Sequence, residues 1–113
     1  MPVSAYKNAS LQEVPTTRTE VYVCPLETEA LIVSIICANK NGVSDVLANI
    51  EMYDDSTSQY TYVGYLLPVP AGGTLTVAEA KLFLEENDKI YLTSSANNSL
   101  SSIVSILQIT PDV

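Results

Sequence analysis

The chain has 113 residues and a mass of 12.2 kDa, which suits one domain that buries about two thirds of its unfolded surface and leaves no room for a second core. Hydrophobic residues make up 47% and charged residues 16% of the sequence, which excludes a disordered chain and predicts apolar surface beyond the needs of a core. The formal net charge is −8, so phosphate backbones repel the protein and we expect no nucleic acid partner.

The N-terminal sequence MPVSAYKNAS lacks the basic start and apolar centre of a signal peptide, and the apolar run at residues 30–38 is too short to span a membrane. We therefore expect a soluble protein made in a cytoplasm, without a membrane partner. Residues 1–9 are polar and mixed around Tyr6, which predicts a flexible N-terminal arm that stays loose or docks on a neighbour. Residues 10–113 are expected to form the single domain.

Strand signals and turn signals alternate along that domain. Residues 77–86 also favour a helix by propensity, but they lack a good N-cap, and we expect a strand there instead. The fold class predicted is all-β, an antiparallel β-sandwich that is jelly-roll-like and has about eight short strands. The predicted strands cover residues 11–14, 18–24, 30–38, 46–53, 60–67, 74–77, 80–84, 90–92 and 100–110.

The most apolar segment, residues 30–38, predicts a central strand covered on both sides. Strict alternation gives it one unbroken face, formed by Leu31, Val33, Ile35 and Cys37. In the next strand the same alternation directs Asn49 and Glu51 to a wet face. Gly64 interrupts the strand at residues 60–67, which indicates a β-bulge or a close backbone approach.

The two cysteines, Cys24 and Cys37, fall on different faces of their predicted strands. We therefore interpret them as free, buried, small hydrophobic residues rather than as a disulfide.

The chain contains no histidine, which removes the commonest general base and the commonest metal ligand, and we expect no enzyme. A glycosidase would need two facing carboxylates, yet the acidic residues fall on two turns of a small sandwich. Asp54, Asp55 and Asp88 would supply oxygen ligands for Ca²⁺ if their loops met at one end, but acidic turn residues usually bond their own backbone. We therefore predict no metal, no cofactor and no catalytic residue.

Seven tyrosines accompany one phenylalanine and no tryptophan. Tyrosine combines an apolar ring with a polar tip, which suits a subunit interface or stacking on a sugar, although it also suits strands in general. We predict a partner interface that includes Tyr6, Tyr53, Tyr60, Tyr62 and Tyr65.

Three stretches resemble small β-sandwich virion proteins of tailed bacteriophages, particularly those of marine and cyanobacterial phages. They are the apolar strand closed by residues 39–42, the strand at residues 60–70 with its exit AGGTL, and the sequence LEENDKI at residues 84–90. The family pattern normally has glycine before the aspartate, whereas this chain has Asn87, which also tolerates positive φ.

The resemblance implies a structural protein of the virion, made in the host cytoplasm. Within that class it implies an exterior capsid decoration or cement protein, or a neck or tail accessory. Its expected partners are a major capsid, neck or tail protein and further copies of itself in a homo-oligomer. The alternative is a glycan-binding module for host recognition in a phage fibre or tail, because exposed aromatic rings and acidic loops bind sugars.

Overall fold

A computed structural model describes residues 3–77 and 82–110. These residues form nine strands, and none of them belongs to a helix long and apolar enough to cross a membrane. Proline, glycine, asparagine and aspartate concentrate in the connections, as turn geometry favours. The strands are β1 (Val3–Leu11), β2 (Thr19–Val23), β3 (Glu29–Asn39), β4 (Val46–Asp54), β5 (Gln59–Val69), β6 (Thr74–Val77), β7 (Leu82–Leu84), β8 (Lys89–Ser94) and β9 (Leu100–Thr110).

Two antiparallel sheets pack as a sandwich. Sheet A has the order β1-β9-β3-β6, with β7 also paired to β3, and sheet B has the order β2-β8-β4-β5. Because β6 and β7 pair with different parts of β3, they occupy one strand position. The strand pairs are then nested along the chain: β1 pairs with β9, β2 with β8, β3 with β6 and β7, and β4 with β5 in a hairpin. This is the strand order of a jelly roll, and the predicted fold class is confirmed.

The facing sides of the two sheets share one hydrophobic cluster. Ile32 and Ile35 enter it from sheet A, and Ile50 and Leu92 enter it from sheet B, all essentially inaccessible to solvent. Burial of each such side chain contributes about 1.5–3 kcal/mol to folding. Val14 closes one end of the cluster and donates its backbone N–H to the Leu100 carbonyl at 2.7 Å.

The first strand begins earlier than the sequence predicted. Val3–Leu11 pairs with β9 from Val3 opposite Thr110 to Leu11 opposite Ser102, whereas we expected an arm over residues 1–9 and a strand over residues 11–14. The hydrophobic pattern missed this strand because residues 4–8 are all exposed, so neither of its faces requires apolar residues there. The expected boundary between arm and domain falls inside β1.

The predicted unbroken face of β3 is wrong. The register of β3 against β9 shifts between Ile32 and Ser34, which places a β-bulge at Val33. A bulge adds one residue and reverses the alternation, so both Ile32 and Ile35 point into the core while Val33 is 42% exposed. β3 is central in its sheet, as predicted, but the expected cover on both sides is wrong, because its outer face is open at Val33.

Gly64 combines both features expected of it. The pairing of β5 with β4 is irregular on either side of Gly64, and a Cβ at this position would collide with the Leu67 side chain. β5 also continues through Pro68 to Val69, further than predicted, because β5 is an edge strand and a proline there loses no ladder bond.

Part of the predicted strand over residues 80–84 is confirmed as β7. Ala80 and Lys81 lie outside the described residues.

Cys24 and Cys37 are free and buried, as predicted. Both belong to the same interior cluster, so position along the sandwich, rather than opposite faces, keeps them apart. The Cys24 thiol contacts the carbonyl of Leu84, which pairs with Ala30, and Cys37 lies seven residues further along β3. Seven residues of strand span about 23 Å, far beyond the reach of a disulfide.

Candidate interaction surface

The acidic turns meet at one end of the sandwich. Asp88 is buried and joins two of them, because its Oδ1 accepts the Asp55 backbone N–H at 3.0 Å and its Oδ2 accepts the Glu85 N–H at 2.9 Å. Asn87 adopts a φ of 69°, the conformation for which glycine or asparagine is suited. The turns enclose a cavity of about 220 Å³ lined by Asp54, Asp55, Ser56, Glu85, Glu86, Asn87 and Asp88.

These carboxylates serve the turns themselves. Asp54 accepts the hydroxyl and the backbone N–H of Ser56 at 2.7 and 3.0 Å, and the bond from the hydroxyl is the main cause that lowers the pKa of Asp54. Both oxygens of Asp88 are likewise directed at backbone donors. Within residues 3–77 and 82–110, no group of three or more histidine, cysteine or acidic side chains is arranged to hold a metal ion.

Four of the five tyrosines expected at an interface lie together on the outer face of sheet B. Tyr53 and Tyr60 are cross-strand neighbours with ring centroids 4.7 Å apart, and the Tyr62 and Tyr65 rings are 4.8 Å apart. Tyr60, Tyr62 and Tyr65 are 43%, 52% and 59% exposed. The predicted grouping is thus present in space, and its role in binding stays a prediction.

Tyr91 belongs to the same cluster, and sequence reasoning missed it. Its ring meets Tyr60 edge-on at 5.4 Å, and burial is the main cause that raises the pKa of Tyr91. The alternation of Tyr91 with buried Ile90 and Leu92 indicated an outward side chain, but only the position of β8 beside β4 reveals its neighbours. We call Tyr53, Tyr60, Tyr62, Tyr65 and Tyr91 the tyrosine face.

Arg18 holds the centre of the tyrosine face. Its Nε and Nη2 donate to the two carboxylate oxygens of Glu51 at 3.1 and 2.9 Å, and its guanidinium carbon lies 3.9 Å from the centroid of Tyr60. The bond to Glu51 is the first cause that raises the pKa of Arg18. Glu51 was expected on a wet face, yet it is only 5% exposed, because it lies beneath this contact. Such bidentate and cation–π contacts fix the tyrosine ring before any partner arrives.

The bulge in β5 explains why Tyr62 and Tyr65 contact each other. Residues three apart in a regular strand point to opposite faces. Here Tyr62 lies opposite Glu51 but Gly64 lies opposite Ile50, the adjacent residue of β4, so one extra residue in β5 reverses the alternation between Tyr62 and Gly64. A second irregularity follows at Leu66, which adopts a φ of 52° and donates its N–H to the Asn49 side chain at 2.7 Å. The irregular backbone therefore adds Tyr65 to the tyrosine face.

Tyr6, the fifth predicted interface tyrosine, lies elsewhere. It is 81% exposed on β1, and its ladder partner is Leu107 of sheet A. The structure therefore divides the predicted interface between the two sheets.

The described lining of the larger cavity is mainly apolar, and the two thiols are buried. An apolar cavity of about 420 Å³ lies at the margin of the sandwich, and its described lining is Met52, Thr61, Tyr62, Val63, Val77 and Leu82. Burial raises the pKa of the Cys24 and Cys37 thiols, which keeps them protonated and poorly nucleophilic.

No protein-family model matches this sequence, and no curated protein matches it. Among the solved structures that match, three do so over most of the length of both chains, and at such low identities they show a shared fold alone.

The first is a chain of the disulfide-linked pili that form Bacillus endospore appendages, with a TM-score of 0.59 and 14% identity over 98% of this chain and 89% of that one. The second is a chain of the acid-stable capsid of Helicobacter pylori bacteriophage KHP30, with a TM-score of 0.55 and 13% identity over 99% of this chain and 95% of that one. The third is the core of Drosophila NLP, described in connection with pentamer formation and histone binding. Its TM-score is 0.57, with 13% identity over 97% of this chain and 100% of that one.

Proposed function

We propose that this chain is a non-enzymatic structural protein of a bacteriophage virion. The observation that carries the proposal is the near-complete mutual coverage with a phage capsid chain of similar size, 99% of this chain and 95% of that one. The pilus chain and the pentamer-forming core have the same fold, so assembly from repeated copies is a shared theme of these neighbours. The acidic turns support a structural role, since their carboxylates bond to the protein's own backbone.

Within that class we place the protein on the outside of the particle, as a capsid decoration or cement protein or as a neck or tail accessory. A net charge of −8 is repelled by packaged DNA, which favours an outer position over a lumenal one. The protein is made in the host cytoplasm and ends in the virion. Its partners are a major capsid, neck or tail protein and other copies of itself.

The tyrosine face is the surface proposed to contact the larger lattice. Aromatic residues and arginine are enriched among the residues that dominate binding energy at interfaces. Arg18 and Glu51 already hold Tyr60 in place, so little conformational freedom is lost on binding there. The bound protein stabilises the assembled lattice by mass action, because it binds the lattice better than the free subunits.

The test uses capsids and tails of the phage that encodes the chain. Purified protein is expected to sediment with one of these particles and to raise the temperature at which it is disrupted. Tyr62→Ser and Tyr65→Ser together should weaken binding at least about tenfold, while Val43→Ser, at a 90% exposed loop residue, should leave it unchanged. Wild-type protein that neither sediments with the particles nor shifts their disruption refutes the proposal.

A glycan-binding module of a phage fibre or tail is the second candidate. Its support is the exposed pair of Tyr62 and Tyr65 rings, since sugars stack on such platforms. A glycan array, read with and without Ca²⁺, separates the two functions. Saturable sugar binding that the Tyr62→Ser variant loses would favour this candidate over a decoration protein.

A further inference from the structure

The outer side of sheet A contrasts with the tyrosine face because many of its side chains are aliphatic or are phenylalanine, and one row of them is apolar across four strands. In the ladders, Tyr6 of β1 pairs with Leu107 of β9, which pairs with Leu31 of β3, which pairs with Phe83 of β7. A polar row comes two residues along the strands, and a mixed row with two apolar members at its centre follows. The polar row is Asn8, Ser105 and Ser34, and the mixed row is Ser10, Ile103, Ile36 and Thr76. We call the three rows, with Val33 between them, the apolar face.

The part of this face that the structure describes is exposed and carries no charged side chain in its three rows. Phe83, Ile103 and Val33 are 50%, 44% and 42% exposed. Among the described residues of these strands, Glu29 brings the nearest charge, one ladder position beyond the apolar row. Lys7 of β1 lies on the other side of the sheet, since its ladder partner is the buried Ile106.

We propose that the apolar face binds the same face of a second copy of this chain. Each copy carries a charge of −8, so two copies repel each other through their charged surfaces and approach most easily through an uncharged one. A cationic partner would instead favour the acidic turns or the tyrosine face. Four strand positions and about six residues of strand give a flat area of roughly 400 Å². Because side chains project from this plane, their accessible area is larger than the flat area and moves toward the roughly 800 Å² per partner of a stable interface.

The charges also set the orientation of the pair. Glu29 shares one end of the sandwich with further acidic side chains, namely Glu27, Glu85 and Glu86. A two-fold axis that runs across the strands above Ser34 and Ser105 keeps the two acidic ends apart. It also places the apolar row of each copy on the mixed row of its partner, where Ile103 and Ile36 are the apolar contacts. This pairing of two copies does not require a virion lattice, so it is independent of the proposed function.

Sedimentation equilibrium of the purified protein tests the pairing. The wild type is expected to be dimeric at concentrations on the order of 10 µM. Ile103→Glu should raise the dissociation constant about 100-fold or more, since it buries a charge at the interface, and Ile103→Thr should raise it less. The matched control Val43→Glu adds the same charge at an exposed loop and should leave the dimer intact.

A cysteine at Ser105 tests the orientation. The native thiols are buried, so a short bifunctional thiol reagent should link only the new cysteines, and Ser105→Cys should give covalent dimers. Thr93→Cys on sheet B is the control and should give none.

A wild type that stays monomeric at about 1 mM overturns the proposal. A dimer that survives Ile103→Glu, or that links through Thr93→Cys rather than Ser105→Cys, overturns it as well. These measurements use isolated protein, and particle binding uses the Tyr62 and Tyr65 variants, so failure of one proposal is distinguishable from failure of the other.

Discussion

The tyrosine face and the apolar face lie on opposite sides of one sandwich and stabilise the molecule differently. On the tyrosine face, Arg18 bonds to the buried Glu51 and packs on Tyr60, so the exposed rings belong to a network within the monomer. On the apolar face, Ile103 and Phe83 lie half-exposed beside uncharged neighbours. Substitutions on the first face should therefore cost stability, whereas substitutions on the second should cost association.

The largest effect is expected where the hairpin of the tyrosine face is anchored. Asp88→Ala removes the acceptors of the Asp55 and Glu85 backbone N–H groups at a buried site, which should lower the free energy of unfolding by about 2–4 kcal/mol. Urea denaturation measures this loss. Asp55→Ala, at an exposed neighbour, should change stability by less than about 0.5 kcal/mol, and equal losses in the two variants would contradict the anchoring role.

A smaller loss is expected at the centre of the tyrosine face. Arg18→Ala leaves the buried Glu51 carboxylate without its bidentate partner. The loss should exceed that of a surface ion pair and stay below that of a fully buried pair, because Glu51 is buried but the Arg18 side chain is 44% exposed. Urea denaturation again reads the loss, and near-ultraviolet circular dichroism should show weaker tyrosine signals.

The control for Arg18 is the exposed pair of Lys89 and Glu20, whose charged atoms are 3.8 Å apart. Glu20→Ala should cost no more than about 0.5 kcal/mol. A similar loss from both variants would remove the distinction between a buried and a surface ion pair.

The apolar face should show little effect on the monomer. Ile103→Thr keeps a β-branched residue at a half-exposed position, so the free energy of unfolding measured on dilute monomer should change by less than about 0.5 kcal/mol. The same variant weakens pairing in sedimentation experiments. A monomer destabilised by more than about 1.5 kcal/mol would mean that Ile103 is part of the fold's own packing.

The smallest effect concerns the titration of one exposed turn. Ser56→Ala removes the hydroxyl that is the main cause of the lowered pKa of Asp54, so that pKa should rise toward its ordinary value. A pKa lowered by folding contributes stability above the unfolded value, 3.8, and loses it as the pH falls through the folded one. Side-chain carboxyl NMR measures the shift. Ser44→Ala, in another loop, should leave the Asp54 signal unmoved, and a shift there would contradict the assignment.

The sequence predicts the strands in which apolar and polar residues alternate, and it misses features that leave no such pattern. Ala48, Ile50 and Met52 alternate with the polar residues Asn49 and Glu51, and β4 appears close to where it was expected. β1 has exposed residues on both faces, so its pairing depends on backbone bonds that no side-chain pattern reports. The bulge at Val33 lies in an apolar run, so exchanging the inner and outer faces of the strand there buries no polar side chain. The residue pattern therefore gives no sign of the bulge.

The candidate surfaces were predictable in part for the same reason. The four tyrosines of β4 and β5 belong to one hairpin, so local pairing already brings them close. Tyr91 and Arg18 join them only through the order of the strands in sheet B, and Tyr6 leaves them because β1 belongs to sheet A. The apolar face depends on four strands from distant parts of the chain, which is beyond what residue spacing can indicate.

The nested pairing affects how the chain folds while it is being synthesised. β1 leaves the exit tunnel first, yet its partner is β9, the last strand to be made, and β3 also borders β9. Sheet A therefore stays incomplete until β9 has been made, with the unpaired backbone edges of β1 and β3 open to other nascent chains. Such non-local topologies fold in milliseconds to seconds, so this interval is when aggregation competes with folding. A truncation that removes β9 should accordingly harm solubility far more than its share of the chain suggests.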